Sequence, residues 1–165
     1  MGLFDKKFCD VCGEKIGMLG NRKLEDGNIC KDCAKKLSPW FDDRRHSTME
    51  EIKSQLQMRE ENRSLVSSFR PGRVIRSDRY NLYIDERQQL FAASVNLDRE
   101  DNPDIISLSQ ITGCNLDVDE MRTEEYRTDR DGERESYNPP RYSYSYDYYF
   151  YIYLNNPYIH EMKLK

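Results

Sequence analysis

The spacing of hydrophobic residues changes twice along the chain, and these changes divide it into three parts. In residues 1–41, short apolar stretches are broken by cysteines and turn residues. Between residues 47 and 69, apolar side chains recur at the spacing of one helix face. From residue 73 onward, apolar and polar residues alternate as they do in half-buried strands. The pattern therefore predicts an α+β protein in which a helix joins a small module to an antiparallel β-domain.

The predicted helix has both a start signal and a stop signal. Ser47 with Glu50, and Thr48 with Glu51, each have the spacing of a capping box, in which two side chains satisfy the first free backbone N–H groups. Pro71-Gly72 ends the segment, because proline cannot continue a helix.

The β-domain is predicted to consist of short strands joined by local turns. Such an order is typical of an antiparallel barrel or sandwich. A charged segment at about 121–141, which contains Gly132 and Pro139-Pro140, is predicted to be a long, mobile hairpin loop. The predicted strands cover residues 73–76, 80–85, 90–95, 105–111, 114–120, 142–154 and 158–165.

Tyrosines dominate the longest of these strands. Alternation places one set of side chains on one face of the strand, namely Tyr142, Tyr144, Tyr146 and Tyr148. The opposite face carries Ser143, Ser145, Asp147, Tyr149, Tyr151 and Tyr153. Only Arg141 supplies a neighbouring cation, so cross-strand aromatic pairing explains the run more simply than base stacking does. The aromatic end of the strand, from Tyr148 through Tyr151 and Tyr153, is expected to be covered by a partner or by the helix.

Two cysteine pairs in the N-terminal part have the spacing of metal ligands. Cys9 and Cys12 are separated by two residues, as are Cys30 and Cys33, and seventeen residues lie between the pairs. This arrangement is typical of a four-thiolate site for one structural Zn²⁺, which leaves no open coordination position for catalysis. Free or disulfide-bonded cysteines are the alternative, but five cysteines in a cytoplasmic chain favour metal ligation.

The order of local signals around the cysteines suggests a type of zinc module. A Cys-x-x-Cys-Gly knuckle is followed by Asp26-Gly27, which favours a hairpin turn, and then by a helix-favouring segment after Cys33. This is the order of a treble-clef finger, and a two-knuckle zinc ribbon is the alternative. Ser38-Pro39 stops the helix, and Trp40 and Phe41 follow it.

The net charge of −4 is unevenly distributed, at +2 for residues 1–40 and −6 for the rest. The acidic second part argues against broad nucleic-acid binding, which requires clustered cations, and against attraction to anionic lipid surfaces. Nucleic-acid binding through the module is the leading alternative function, and lipid contact by the β-domain is a weaker one. The cations available for the former are Lys15, Arg22, Lys23, Lys31, Lys35 and Lys36.

The chain is predicted to be cytoplasmic and non-catalytic. Asp5 and two lysines follow Met1–Phe4 at once, which is not a signal-peptide pattern, and the apolar run 148–154 is far shorter than the roughly 20 residues of a spanning helix. His46 and His160 have no matched nucleophile or carboxylate pattern, and Cys114 is expected to be a small buried residue.

The N-terminal sequence resembles a family of bacterial proteins. The run MGLFDKKFCDVCGEKIGMLGNRKLEDG over residues 1–27, with ICKDCA over 29–34 and Trp40-Phe41 behind it, is similar to their N-terminal zinc-ribbon-like domain of unknown function. The resemblance implies a bacterial cytoplasmic protein whose four cysteines bind zinc, and it implies no catalytic residue.

The remainder of the chain resembles pleckstrin-homology-like β-domains more loosely. The stretch IISLSQIT at residues 105–112 is similar to a strand of those domains that leads into an acidic strand. Such domains close with a C-terminal helix, whereas this sequence ends on a predicted strand. Either that helix is absent, residues 47–69 take its place, or the natural chain continues.

Together these observations predict a zinc module over residues 1–41, a linker helix within 42–72 and a β-domain over 73–165. The predicted function is that of an adaptor or scaffold that binds other proteins, including further copies of itself, with nucleic acid less favoured. The residues expected to contact partners are Trp40, Phe41, Tyr148, Tyr151 and Tyr153.

Overall fold

The computed structural model describes residues 6–41 and 43–165. The first five residues of the predicted module and Asp42, where the predicted linker begins, lie outside the described residues. The described chain combines α-helices with antiparallel sheets, so the predicted α+β class is confirmed.

The N-terminal module contains a two-stranded hairpin followed by one helical turn. β1 (Asn21–Lys23) pairs antiparallel with β2 (Asn28–Cys30), and α1 (Lys31–Ala34) follows directly. Leu24 N donates to Gly27 O at 2.9 Å and closes the hairpin turn that the Asp-Gly sequence predicts. This order of knuckle, hairpin and helical turn carries all four ligand candidates.

The second helix, α2 (Met49–Ser68), confirms the prediction over 47–69. Of the two possible capping boxes, the structure contains the one formed by Thr48 and Glu51. Thr48 N donates to Glu51 Oε2 at 2.7 Å, and Glu51 N donates to Thr48 Oγ1 at 3.3 Å. Among the described residues, no helix combines the length and apolarity needed to cross a bilayer.

α2 is a shared packing element and not only a linker. Its first half belongs to the module, because fully buried Ile52 packs with Leu24, Ile29 and the cysteines. Its C-terminal end packs on the β-domain, where Phe69 is buried against Ala92. One helix thus contributes to two hydrophobic clusters.

The β-domain consists of two antiparallel sheets around one core. Buried side chains of both sheets meet there, including Phe91 from the first sheet and Ile152 and Met162 from the second. The first sheet is formed in spatial order by β3 (Arg73–Ile75), β4 (Asn81–Asp85), β5 (Leu90–Ser94) and β6 (Ile106–Ser107). The second is formed by β7 (Ile111–Thr128), β8 (Arg134–Leu154) and β9 (Glu161–Leu164). Short 3₁₀ turns cover Arg44–His46, Leu97–Arg99 and Leu108–Gln110.

The predicted charged loop at about 121–141 is wrong, because most of this segment is strand. β7 and β8 form one hairpin whose turn is only Asp129 to Glu133. Asp129 Oδ1 accepts from the N–H groups of Asp131 and Glu133, and Gly132 takes a φ of +84° that favours glycine. Charged residues do not prevent strand formation here, since both faces of a two-stranded ribbon meet solvent. We call residues 118–148 of this hairpin the arm.

A buried polar network joins the module, α2 and the β-domain. The Asp104 carboxylate accepts hydrogen bonds from Ser38 Oγ and from Arg59 Nη1, each at 2.7 Å. The Arg59 and Asp104 side chains are only 11% and 5% exposed. One turn along α2, Asn62 Nδ2 donates to Asn102 Oδ1 and Asn62 Oδ1 accepts from Ile105 N. These contacts fix how the three parts meet.

We expect Arg59→Met to destabilise the folded chain by about 3–5 kcal/mol, because it leaves the Asp104 carboxylate buried without its cation. Arg63→Met is the matched control on the same helix, since it removes pairs with Glu60 and Asp101 that lie in solvent. Urea unfolding followed by far-ultraviolet circular dichroism measures both free energies. Equal losses in the two variants would contradict a structural role for the Arg59–Asp104 pair.

Candidate metal centre

The first cysteine pair lies on a tight knuckle. Gly13 N donates to Cys9 O and Cys9 N donates to Glu14 O, each at 2.8 Å, so the chain reverses between the two thiols. Gly13 has a φ of +74°, a conformation that residues with a Cβ rarely adopt. The glycine after the second ligand candidate therefore lets the chain make the tight turn of the knuckle.

The second pair lies where β2 passes into α1. Cys30 is the last residue of β2 and the N-cap of α1, and its Sγ accepts from Cys33 N at 3.3 Å. Cys30 N in turn donates to Cys9 Sγ at 3.2 Å, which links the two pairs. Because Cys33 is inside the first helical turn, its side chain points back toward the same place.

The four sulfur atoms converge around one point. All four Sγ atoms lie within 4.8 Å of one another, and Cys12 Sγ is 3.8 Å from Cys30 Sγ. A tetrahedral ion with metal–sulfur bonds of about 2.3 Å requires sulfurs about 3.8 Å apart, which matches that distance. All five cysteines are free, so the disulfide alternative does not describe this arrangement. The cluster can hold a metal ion, and its donor set is four thiols.

The electrostatics of the cluster are those of crowded thiols. Burial opposes ionisation of Cys9, but backbone N–H groups of Cys12, Cys30 and Val11 outweigh it and lower the pKa of Cys9 to about 6. Burial, reinforced by the neighbouring thiols, raises the pKa of Cys33 far above its usual range. Four thiols at this spacing cannot all ionise without a compensating positive charge, which a bound cation would supply.

Two aspartates hold the cluster's surroundings together, and the sequence pattern does not single them out as such. Asp10 Oδ2 accepts from Asn28 N at 2.7 Å, which joins the knuckle to the hairpin. Asp26 Oδ1 accepts from Met49 N at 2.7 Å, which joins the hairpin to the start of α2. The glycine neighbour of Asp26 indicates only a turn, whereas its partner is 23 residues away and has no local signal.

The aromatic residues predicted to contact partners do not form one surface. The Trp40 ring lies 4.9 Å from the Tyr80 ring, and the Phe41 ring packs edge-on against Tyr158 at 6.2 Å. Both rings therefore pack within the chain, at the junction of module and β-domain, and are not a separate exposed patch.

The three predicted contact tyrosines lie on opposite faces of β8. Tyr148 is 57% exposed and faces the side that carries the other arm tyrosines. Tyr151 and Tyr153 lie on the other face, where their rings stack at 6.4 Å.

The remaining candidate residues stay apart from the cluster. His46 Nδ1 contacts Asp43 Oδ1 at 2.8 Å, and both side chains are exposed. Cys114 is exposed on β7, so the expectation that it is buried is wrong. β7 is the outer strand of its sheet, so solvent reaches Cys114 although Ile152, opposite it on β8, is buried.

Comparison with known proteins finds a match for the N-terminal part of the chain. Residues 7–55 match the family model described as Domain of unknown function (DUF4428). The match includes all four cysteines and ends inside α2, three residues beyond Ile52, which agrees with the packing of that residue in the module core. No curated protein and no solved structure matched the chain significantly.

We expect Gly27→Ala to destabilise the module by about 1–3 kcal/mol, because an added methyl group would displace the Asp10 carboxylate from its hydrogen bond with Asn28 N. A Cβ at this position would lie 2.7 Å from Asp10 Oδ2, the atom that accepts from Asn28 N. Gly17→Ala is the control, since no atom lies within 4 Å of its Cβ position. Thermal unfolding measures both variants, and equal melting temperatures for the two would refute the close approach.

Proposed function

We propose that the chain is a non-catalytic adaptor or scaffold whose N-terminal module is held together by one structural Zn²⁺ ion. The ligands are the thiolates of Cys9, Cys12, Cys30 and Cys33. The observation that carries the proposal is the convergence of four sulfurs at tetrahedral spacing from two elements that are far apart in sequence.

The donor set favours zinc and a structural role. Four thiolates suit Zn²⁺ or an iron–sulfur cluster, and two Cys-x-x-Cys pairs around a single point suit one tetrahedral ion. With four protein ligands, no coordination position is left for substrate or water. The module's buried apolar core consists of a few side chains, so a metal would supply much of its stability.

The arm supports a role in binding other macromolecules. Exposed hydrophobic side chains are concentrated on it, including Val118, Met121, Tyr144 and Tyr148 at 49%, 50%, 51% and 57% exposure. Val118, Tyr144 and Tyr148 share one face of the arm, and exposed apolar side chains gathered on one face typically mark an interaction site. Trp40 and Phe41 pack within the chain, so the proposed contact surface is centred on Tyr148 and the arm, with Tyr151 and Tyr153 on the opposite face.

The source of the chain, its cellular location and the class of its β-domain are part of the same proposal. The N-terminal resemblance supports a bacterial, cytoplasmic protein. Two antiparallel sheets that share one core are compatible with a pleckstrin-homology-like β-domain.

Nucleic-acid binding through the module is the second candidate, and one observation favours it. Burial lowers the pKa of Arg44, and the nearby charges of Arg22 and Arg45 lower it further. Three guanidinium groups that repel one another form a positive patch suited to phosphate. Lys35, in contrast, pairs with Asp32 at 3.6 Å.

The metal is tested with two cysteine variants. We expect the wild-type chain and Cys114→Ser each to contain one zinc per chain and Cys33→Ser to contain none, as measured by mass spectrometry of the metal. Chelation of the wild type should unfold the module but preserve the β-sheet circular dichroism signal. A wild-type chain that neither retains zinc nor is stabilised by added zinc would refute the structural ion.

The adaptor role is tested by crosslinking the full chain to its contacts in native extract, with and without nuclease. We expect protein partners that survive nuclease, that are captured equally by Cys114→Ser and that are lost with Tyr148→Ala, which truncates the proposed contact surface. Partners that disappear after nuclease would instead establish the second candidate. Capture of nothing under either condition would contradict both.

A further inference from the structure

The arm has a strand edge that no other described strand pairs with. β9 pairs with β8 only between Phe150 and Tyr153, and β7 pairs only with β8. From residue 118 to residue 128, every β7 side chain is exposed except half-buried Glu124. A two-stranded ribbon is marginally stable alone, and a long free edge is a template for a further strand. The arm is therefore incomplete as a sheet.

The arm is also where the charge of the chain lies. Residues 118–148 contain nine Asp or Glu and five Arg, a net charge of −4 that equals the net charge of the whole chain. A basic strand from another protein and a second copy of this chain would both be possible occupants on net charge alone. The order of the charges along β7 distinguishes them.

That order is self-complementary in one antiparallel register. Consider a twofold axis that is perpendicular to the sheet and passes midway between Thr123 of one copy and Thr123 of the other. Each residue then lies opposite the residue of the second copy that is equally far from Thr123 on the other side. Arg122 then faces Glu124 of the second copy, and Asp119 faces Arg127, each pair occurring twice. Thr123 faces its own counterpart, a favourable cross-strand pair. Over residues 118–128, no two like charges lie opposite each other.

Neighbouring registers lack this property. An axis through residue 122 places Arg122 opposite itself and Glu120 opposite Glu124. An axis through residue 124 places Glu124 opposite itself, and one through residue 121 places Asp117 opposite Glu125. Like charges directly opposite each other destabilise a strand pair, so these registers are disfavoured.

We propose that the free edge of β7 pairs antiparallel with β7 of a second copy of this chain, centred on Thr123. The inference rests on the proposed scaffold function and names one of its partners. Pairing over eleven residues adds about ten backbone hydrogen bonds and forms a sheet in the order β8-β7-β7-β8. The twofold axis places the tyrosine faces of both arms on the same side of that sheet.

The test uses two charge-reversal variants of the full zinc-bound chain. Arg122→Glu and Glu124→Arg each turn both central ion pairs into repulsive ones. We expect each variant alone to raise the dimer dissociation constant at least roughly tenfold. Mixed together the two variants become complementary, because the introduced glutamate of one chain then faces the introduced arginine of the other, so dimers should reappear on mixing.

Matched controls carry the same charge changes outside the paired span. Arg130→Glu and Glu133→Arg lie in the hairpin turn, and both should dimerise like the wild type. Sedimentation velocity over a wide concentration range, at physiological salt to screen the net charge of the arms, measures every sample. Circular dichroism and zinc content of the same samples verify that each variant folds.

Three results would overturn the proposal. They are a wild-type chain that stays monomeric at every concentration, an effect of Arg122→Glu no larger than that of Arg130→Glu, and a mixture of the two variants that forms no dimer. None of these would affect the proposed function, because zinc content and crosslinked partners are measured independently. A monomer that retains zinc and partners would refute pairing between copies and leave the proposed scaffold function standing.

Discussion

The ion pair between Arg59 and Asp104 is the contact on which the arrangement of the whole chain depends. Asp104 lies in a loop of the β-domain, Arg59 is in the middle of α2, and Ser38 reaches the same carboxylate from the end of the module. A buried carboxylate is costly unless its charge and lone pairs are satisfied, and here two separate segments do so. The three parts can satisfy it only in one relative orientation.

The sulfur cluster has a more local role. It joins a knuckle and a hairpin that are otherwise held by a few buried side chains. Asp26 then links the hairpin to the start of α2 by accepting a hydrogen bond from Met49 N. Ile52 packs with the cysteine cluster near the start of α2, and Arg59 pairs with Asp104 about two helical turns farther along. One helix is therefore anchored by the module core at one end and by a buried charge farther along. The first half of α2 therefore depends on the module for its position.

Features encoded by local spacing could be predicted from sequence. The two Cys-x-x-Cys pairs, the Thr48–Glu51 cap and the period-two pattern after residue 73 each fix structure among near neighbours. The partners of Asp104 could not be predicted, because they are 45 and 66 residues away and no periodicity marks them. The charge density of the arm predicts a loop, but a ribbon outside the core need not bury either face and can therefore keep charged residues in strands.

In the proposed pairing of two copies, the arm would determine how far apart the two attached bodies lie. Val118 to Thr128 spans ten residue steps, or about 34 Å at the rise of a β-strand. Bodies joined by pairing along such arms would be separated by a length of sheet, which is far stiffer than a flexible linker. A target with two sites at the matching separation would gain avidity from a high effective concentration, whereas one with a different spacing would engage a single copy. The length of the hairpin would then decide which spacing of sites on a target allows both copies to bind at once.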